Sequence, residues 1–299
     1  MRDHFMGYLR SDGSAGVRDY RLALPSVVCA NRAAIQAARE ISSGVAIEHP
    51  IGCAQIGADR EQTKRVLIGV GSHPNVMATA VIGLGCEGVP AAEVFEAVQG
   101  YRVMASVITI QAAGGTEKAA AQARLFLQAE HPRPPVRQKM SIHQLLLGVG
   151  PLAGLGIKGQ EIIEAFLKRG GRVVQSATNE AGDLPYAMKM PGHLDYAKMQ
   201  ADEGSNQVMT GLASTGAQIL LAECDRHHLG GHPVVPVIRI GYDHRLRAAL
   251  QDDMDGMIDD RDTEAWVDWI LDVASGERPT MTESLGASAF AIARVGPTL

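Results

Sequence analysis

A chain of 299 residues is long enough for one large α/β domain or for two lobes with separate cores, and two lobes is the expectation. Apolar residues at 46% and charged residues at 20% exclude a disordered or collagen-like chain, and aromatics at only 4% require an aliphatic core. The formal charge of -5 comes without a basic stripe, so no nucleic-acid partner is expected, and no apolar run approaches the roughly 18 residues of a membrane span.

Residues 20–130 alternate strand and helix, the pattern of a parallel sheet with helices packed on it. Strands are expected at 22–28, 45–48, 77–83 and 103–110, with helices at 31–41, 59–69, 91–98 and 116–129. The run Glu130-His131-Pro132-Arg133-Pro134-Pro135 can continue neither a helix nor a central strand, so the boundary between an N-terminal lobe (1–135) and a C-terminal lobe (136–299) is placed there. Alternation then resumes, with strands at 144–149, 172–176, 218–221 and 235–240 and a helix at 160–169. A C-terminal helix at 264–276 carries Trp266, Trp269, Ile270 and Val273 on one stripe. The expected fold class is α/β: two Rossmann-like lobes with mainly parallel sheets and helices on both faces. Residues 1–10 contain no apolar stretch of the secretory kind, and Cys29, Cys53, Cys86 and Cys224 lack the spacing of a disulfide framework. Free thiols in a reducing, cytoplasmic setting are therefore expected.

In open parallel sheets, ligands bind beyond the carboxyl ends of the strands, where loops and helix N-termini present free N–H groups. Cys29 follows the first expected strand, His49 and Cys53 the second, Cys86 and Glu87 the third, and Gln111 with Gly114-Gly115-Thr116 the fourth. His49-Pro50-Ile51-Gly52-Cys53-Ala54-Gln55 sets an imidazole and a thiolate in one tight loop, two candidate metal ligands, and Cys86 is the candidate third. The competing reading makes Cys29 and Cys86 small buried hydrophobes. Gly114-Gly115-Thr116 opens a helix and could hold a substrate carboxylate; a plain helix start with Thr116 as N-cap is the alternative. In the second lobe Thr178-Asn179-Glu180, Cys224-Asp225-Arg226-His227-His228 and Tyr242-Asp243-His244 end strands. Arg226 is a candidate carboxylate clamp, with His227 beside it, whereas His244 reads as a surface residue and Asp252, Asp253 and Asp255 as a solvated acidic face.

Several of these segments together resemble the altronate and galactarate dehydratase family. Gly7-Tyr8-Leu9-Arg10-Ser11-Asp12-Gly13, Gly16-Val17-Arg18-Asp19-Tyr20 and Leu24-Pro25-Ser26-Val27-Val28-Cys29-Ala30-Asn31 are similar to the family's opening signature. The loop from His49 to Gln55, Gly83-Leu84-Gly85-Cys86-Glu87 and Gly114-Gly115-Thr116 follow in the family's order. The tail is similar as well, in Gly231-His232-Pro233-Val234-Val235-Pro236-Val237-Ile238, Asp252-Asp253-Met254-Asp255, Ala274-Ser275-Gly276-Glu277 and Glu283-Ser284-Leu285-Gly286.

The resemblance implies a homo-oligomeric lyase that dehydrates a sugar-derived hydroxy acid to a 2-keto-3-deoxy acid with a divalent metal, Fe2+ by preference and Zn2+ or Mn2+ as alternatives. It implies His49, Cys53 and Cys86 as metal ligands and His49, Glu87 and His227 as catalytic groups, with proton transfer open between His49 and His227. Gly114, Gly115, Thr116 and Arg226 are the expected substrate contacts. The middle of the chain departs from the family, which has Cys-Gly-Gly-Ser-Asp where Leu147-Gly148-Val149-Gly150-Pro151-Leu152-Ala153 stands here. Between about 180 and 204 a further stretch of the family is replaced by the short segment 183–198. Two other functions therefore stand beside the lyase: a non-catalytic acid-binding or partner subunit, and a hydrolase with Cys53 or Cys86 as nucleophile and His49 as base.

Overall fold

The computed structural model describes residues 2–101, 104–129, 136–177, 180–201, 204–226 and 229–295. It is an α/β structure, as expected, built on two parallel sheets and a small antiparallel one.

The first parallel sheet has the order β4-β3-β5-β6, from β3 (Tyr20–Pro25), β4 (Gly44–Ala46), β5 (Val76–Gly83) and β6 (Met104–Thr109). Central β5 is buried at every position, which its unbroken small and apolar sequence permits between two helical layers. Period-two alternation sorts β3: Leu22 and Leu24 face Val66, Leu67, Val70, Val94 and Val98, whereas Ala23 faces an alanine-rich layer around Ala33, Ala34, Ala119 and Ala123. The first set comes from α2 (Gly57–Gly71) and α3 (Ala91–Gln99), the second from α1 (Asn31–Ala38) and α5 (Thr116–Gln128); the one-turn helix α4 (Ile110–Ala113) precedes α5. Strand β3 stops at Pro25 rather than 28, because Val28–Ala30 turn into a short 3-10 helix and the Val28 N–H leaves the sheet for the Ile51 carbonyl.

The second parallel sheet has the order β10-β9-β8-β11-β12-β13. Its strands are β8 (Leu146–Val149), β9 (Arg172–Ala177), β10 (Tyr196–Gln200), β11 (Ile219–Glu223), β12 (Val237–Gly241) and β13 (Gly256–Met257). Helices α6 (Gly156–Lys168) and α9 (Thr263–Ser275) cover one face, with Phe166, Trp266 and Ile270 in the core and Trp269 partly buried beside them. Several elements were not foreseen, among them β10, β13 and a helix at 205–215. Strand β10 is a short edge strand, and α7 (Ser205–Thr215) is buried on almost every side, so its sequence shows no amphipathic stripe. The short helices α8 (His244–Leu250) and α10 (Met281–Ser284) complete the described elements.

One core runs between the lobes, joining Leu22, Val66 and Val70 of the first to Val208, Leu212 and Leu220 of the second. Helices α2 and α7 touch at Gly69, where a Cβ would stand 2.3 Å from the Ser214 carbonyl oxygen, so only glycine allows the approach. The expected boundary at 130–135 lies outside the described residues. The chain crosses it in space, since β1 (His4–Leu9), flanked by β2 (Ala15–Gly16), pairs antiparallel with β7 (Gln138–Ser141), and Arg2 is ion-paired to Asp272 of α9. No described helix is long and apolar enough to cross a membrane.

Candidate functional site

The carboxyl ends of β3 to β6 present the loops that carry the candidate residues, and those loops are knitted together. The Asn31 amide donates to the His49 carbonyl (3.0 Å), Val28 N–H to the Ile51 carbonyl (2.8 Å), and Gln111 N–H to the Leu84 carbonyl (3.2 Å). The Cys53 carbonyl oxygen packs against Gly88, where a Cβ would stand 2.8 Å from it. The loops thus converge, but their side chains do not form the expected metal site. Among the described residues no group of three or more His, Cys, Asp or Glu side chains is placed to hold a metal ion.

His49 shows why. Its imidazole is 2% exposed; the Ile51 N–H donates to Nδ1 (3.2 Å), which leaves the proton on Nε2, and Nε2 donates to the Pro25 carbonyl (3.0 Å). Burial pushes its pKa below the ordinary range, against the opposing pull of the Pro25 carbonyl, so it stays neutral. Both nitrogens are occupied by backbone. As placed, neither nitrogen is open to a metal or a thiol, and the Cys/His hydrolase pairing is not formed.

Glu87 is also turned inward. Its Oε2 accepts from the N–H groups of Gly85 (2.6 Å) and Cys86 (3.0 Å), and Oε1 from Ala91 N–H (3.2 Å) and the Ser26 hydroxyl (3.2 Å). Burial alone would raise its pKa, but these donors outweigh that effect and hold it below the usual carboxylate range. Glu87 is an ionised latch that fixes the turn before α3 and ties β3 to it.

The cysteines correct the buried-hydrophobe reading, since Cys29, Cys53 and Cys86 are all exposed free thiols. Cys224 is the buried one, and burial pushes its thiol up to about 11. At the fourth strand end, Gly114 (φ 81) and Gly115 (φ 122) take conformations open to glycine. They end α4 and start α5 with Gly115 at the N-cap position, so Thr116 is the first helical residue and not the cap. Arg226 is exposed at the end of β11, and His227 lies outside the described residues, as do Thr178 and Asn179. Beside Arg226 the buried Arg239 donates to the carbonyls of Glu223 (3.1 Å) and Gly230 (2.5 Å), bracketing the loop that carries Arg226. His244 is exposed, as expected.

Asp255 departs from the solvated-face reading. It is buried and accepts the N–H groups of Arg239 (2.8 Å) and Met281 (3.0 Å), and burial pushes its pKa up to about 6. It tethers β12 to α10 in the interior.

A cavity of about 430 Å³ opens away from the thiols, between the outer edge of β4, the Gly231-His232-Pro233 turn and 282–288. None of the three exposed cysteines lines it. Its histidine, His232, entered the sequence reading only within the tail motif. The available signal was the recurrence of His-Pro at 49, 73, 131 and 232.

Residues 7–130, which span the first parallel sheet, match the family model described as D-galactarate dehydratase/altronate hydrolase, second domain. The chain is 42% identical over 80 residues to (2R)-sulfolactate sulfo-lyase subunit beta of Chromohalobacter salexigens, covering 27% of this chain and 21% of that protein. It is 35% identical over 105 residues to altronate dehydratase of Bacillus subtilis (32% and 21%) and 39% identical over 90 residues to altronate dehydratase of Escherichia coli (27% and 18%). The matched stretch is therefore about a fifth of each relative's length.

Proposed function

We propose, from the match of residues 7–130 to the D-galactarate dehydratase/altronate hydrolase model, that the chain belongs to the altronate/galactarate dehydratase family and acts as a lyase on a small sugar-derived 2-hydroxy acid. The observation that carries this reading is a coincidence of position. The matched segment is the lobe whose His49–Gln55, Gly83–Glu87 and Gly114–Thr116 loops meet at one sheet edge. Two relatives are named as dehydratases and one as a sulfo-lyase, so the common chemistry is loss of a group from the carbon next to a hydroxy-acid centre.

In the proposed reaction a base removes the proton on the hydroxyl-bearing α-carbon and the β C–O bond breaks. The hydroxyl leaves as water on gaining a proton, and the resulting enol takes up a proton to give the 2-keto-3-deoxy acid. Free N–H groups at the start of α5, past Gly114, Gly115 and Thr116, favour a carboxylate, and Arg226 supplies a planar fork for the same group. Glu87 holds the Cys86 turn in place as a positioning group. Proton transfer does not fall to His49, whose nitrogens are both bonded to backbone.

The family implies a divalent metal, and the described donors do not fit one as they stand. His49 and Glu87 are saturated by backbone donors and acceptors, which leaves the exposed thiols Cys53 and Cys86 without a third ligand among the described residues. That observation favours a second reading, a non-catalytic acid-binding or partner subunit. One experiment separates the two. Anaerobically purified protein, with its metal content measured, is incubated with galactarate, altronate and shorter hydroxy acids, and 2-keto acid is followed with time. Keto acid formed from any of them, and lost in the Glu87→Ala variant, supports the lyase. Binding without turnover across the set supports the subunit.

A further inference from the structure

Among the described residues three His-Pro-X turns share one local geometry and differ at a single atom. In each the imidazole is buried (His49 2%, His73 0%, His232 6% exposed) and the N–H two residues on donates to Nδ1, at 3.2, 3.0 and 3.3 Å. Each ring therefore carries its proton on Nε2. His49 donates that proton to the Pro25 carbonyl and His73 to the Ala217 carbonyl (2.9 Å). The Nε2 of His232 is buried with no partner among the described residues.

A buried N–H left unpaired costs about 1–3 kcal/mol and is uncommon in native proteins. The imidazole stays a neutral donor, because burial pushes its pKa down to about 3. It borders two things: the cavity of about 430 Å³ and the half-buried ring of Phe290, whose centroid lies 5.7 Å away. Glu283 is the one charged residue among the described residues lining the cavity; Arg18 matches its charge through two bonds of 2.7 and 2.9 Å, and the Tyr20 hydroxyl donates to it at 3.2 Å. Walls of this kind suit an uncharged, oxygen-rich group and not a carboxylate.

We infer that His232 donates its Nε2–H to a hydroxyl oxygen on the polyhydroxylated tail of a sugar-acid ligand, with the Phe290 ring turning aside to admit it. The acid class rests on the proposed lyase reading; the donor and its cavity do not. Only a side chain has to move, since the backbone on either side stays bonded, Gly231 N–H to the Ala287 carbonyl (2.7 Å) and Ala289 N–H to the Gly231 carbonyl (3.0 Å).

The test is calorimetric binding to the full chain, with galactarate, altronate and gluconate as tailed probes and glycerate as the probe that keeps the acid head and lacks the tail. His232→Asn retains an acceptor for the Val234 N–H and takes the donor away from the Nε2 position, since its amide NH2 sits nearer the backbone; His232→Gln returns an N–H near the Nε2 position. At least one tailed acid is expected to bind, about tenfold to a hundredfold more weakly in His232→Asn and with partial recovery in His232→Gln. Glycerate binding is expected to be unchanged, and Phe290→Ala is expected to speed association. Equal affinity in wild type and His232→Asn, at unchanged thermal stability, overturns the inference, as does failure of every tailed acid to bind. Keto-acid release is scored separately. His232-dependent binding without it removes the lyase and leaves the donor, whereas release unaffected by His232→Asn does the reverse.

Discussion

The loop after β4 and the turn before β12 are assembled from the same His-Pro pair, yet one ends in a closed network and the other in an open valence. At His49 a carbonyl from the neighbouring strand stands 3.0 Å from Nε2 and the ring becomes a rivet between β3 and its loop. At His232 no described residue supplies such a carbonyl, and the ring borders Phe290 and a cavity. The comparison teaches that a histidine's availability is set by what the fold brings to its far nitrogen and not by the loop in which it sits. The two carboxylates of these regions make the same point. Glu87, ringed by four donors, is held below the usual carboxylate range, whereas Asp255, with two donors and deeper burial, is pushed up to about 6.

The largest effect is expected at the closed end. His49→Phe strands the Pro25 carbonyl and the Ile51 N–H in the interior, and urea unfolding should show a loss of about 3 kcal/mol. Asp255→Asn should cost about 2 kcal/mol, because one of the two N–H donors would then face an amide NH2. The same residue sets a pH dependence. Its folded pKa lies above the unfolded 3.8, so between about pH 4 and 6 the native state holds more protons than the unfolded chain, and this contribution falls as pH rises. The fall is at most about 3 kcal/mol, and Asp255→Asn should flatten it. Glu87 has the opposite sign: its contribution is present above about pH 4.5 and is lost as pH drops through its lowered pKa.

Glu87→Gln should destabilise by about 1 kcal/mol and free the turn that carries Cys86. Alkylation of Cys86 should accelerate severalfold, while buried Cys224 stays unreactive until the chain unfolds. The smallest effect is expected at the open end, where relief of the unpaired Nε2–H offsets the lost packing of the ring near Phe290, and His232→Asn should change stability by less than about 1 kcal/mol. A loss there equal to that of His49→Phe would erase the contrast between the two turns.

Much of the scaffold is legible in the chain itself. Apolar runs and helical spacing locate β3 to β6 and their helices within a few residues, and the rule of strand carboxyl ends correctly gathers the loops of His49, Cys53, Cys86 and Glu87. What the chain does not disclose is where the side chains turn. The Pro25 carbonyl that captures His49 is 24 residues away in sequence, and the donors that saturate Glu87 include the Ser26 hydroxyl at a separation of 61. Helix α7 escaped detection because burial on nearly every side removes periodicity, and Asp255 read as solvated because its acidic neighbours concealed the two N–H groups that draw it inside.

The most direct test of the claim that His49 is a structural rivet is a ring-nitrogen NMR titration of 15N-histidine-labelled protein, assigned by the His49→Phe variant. His49 should be the neutral Nε2–H tautomer at pH 8 and should take up a second ring proton only below the ordinary imidazole range. Protonation within or above the ordinary imidazole range, or a proton found on Nδ1 in the neutral ring, would contradict the rivet.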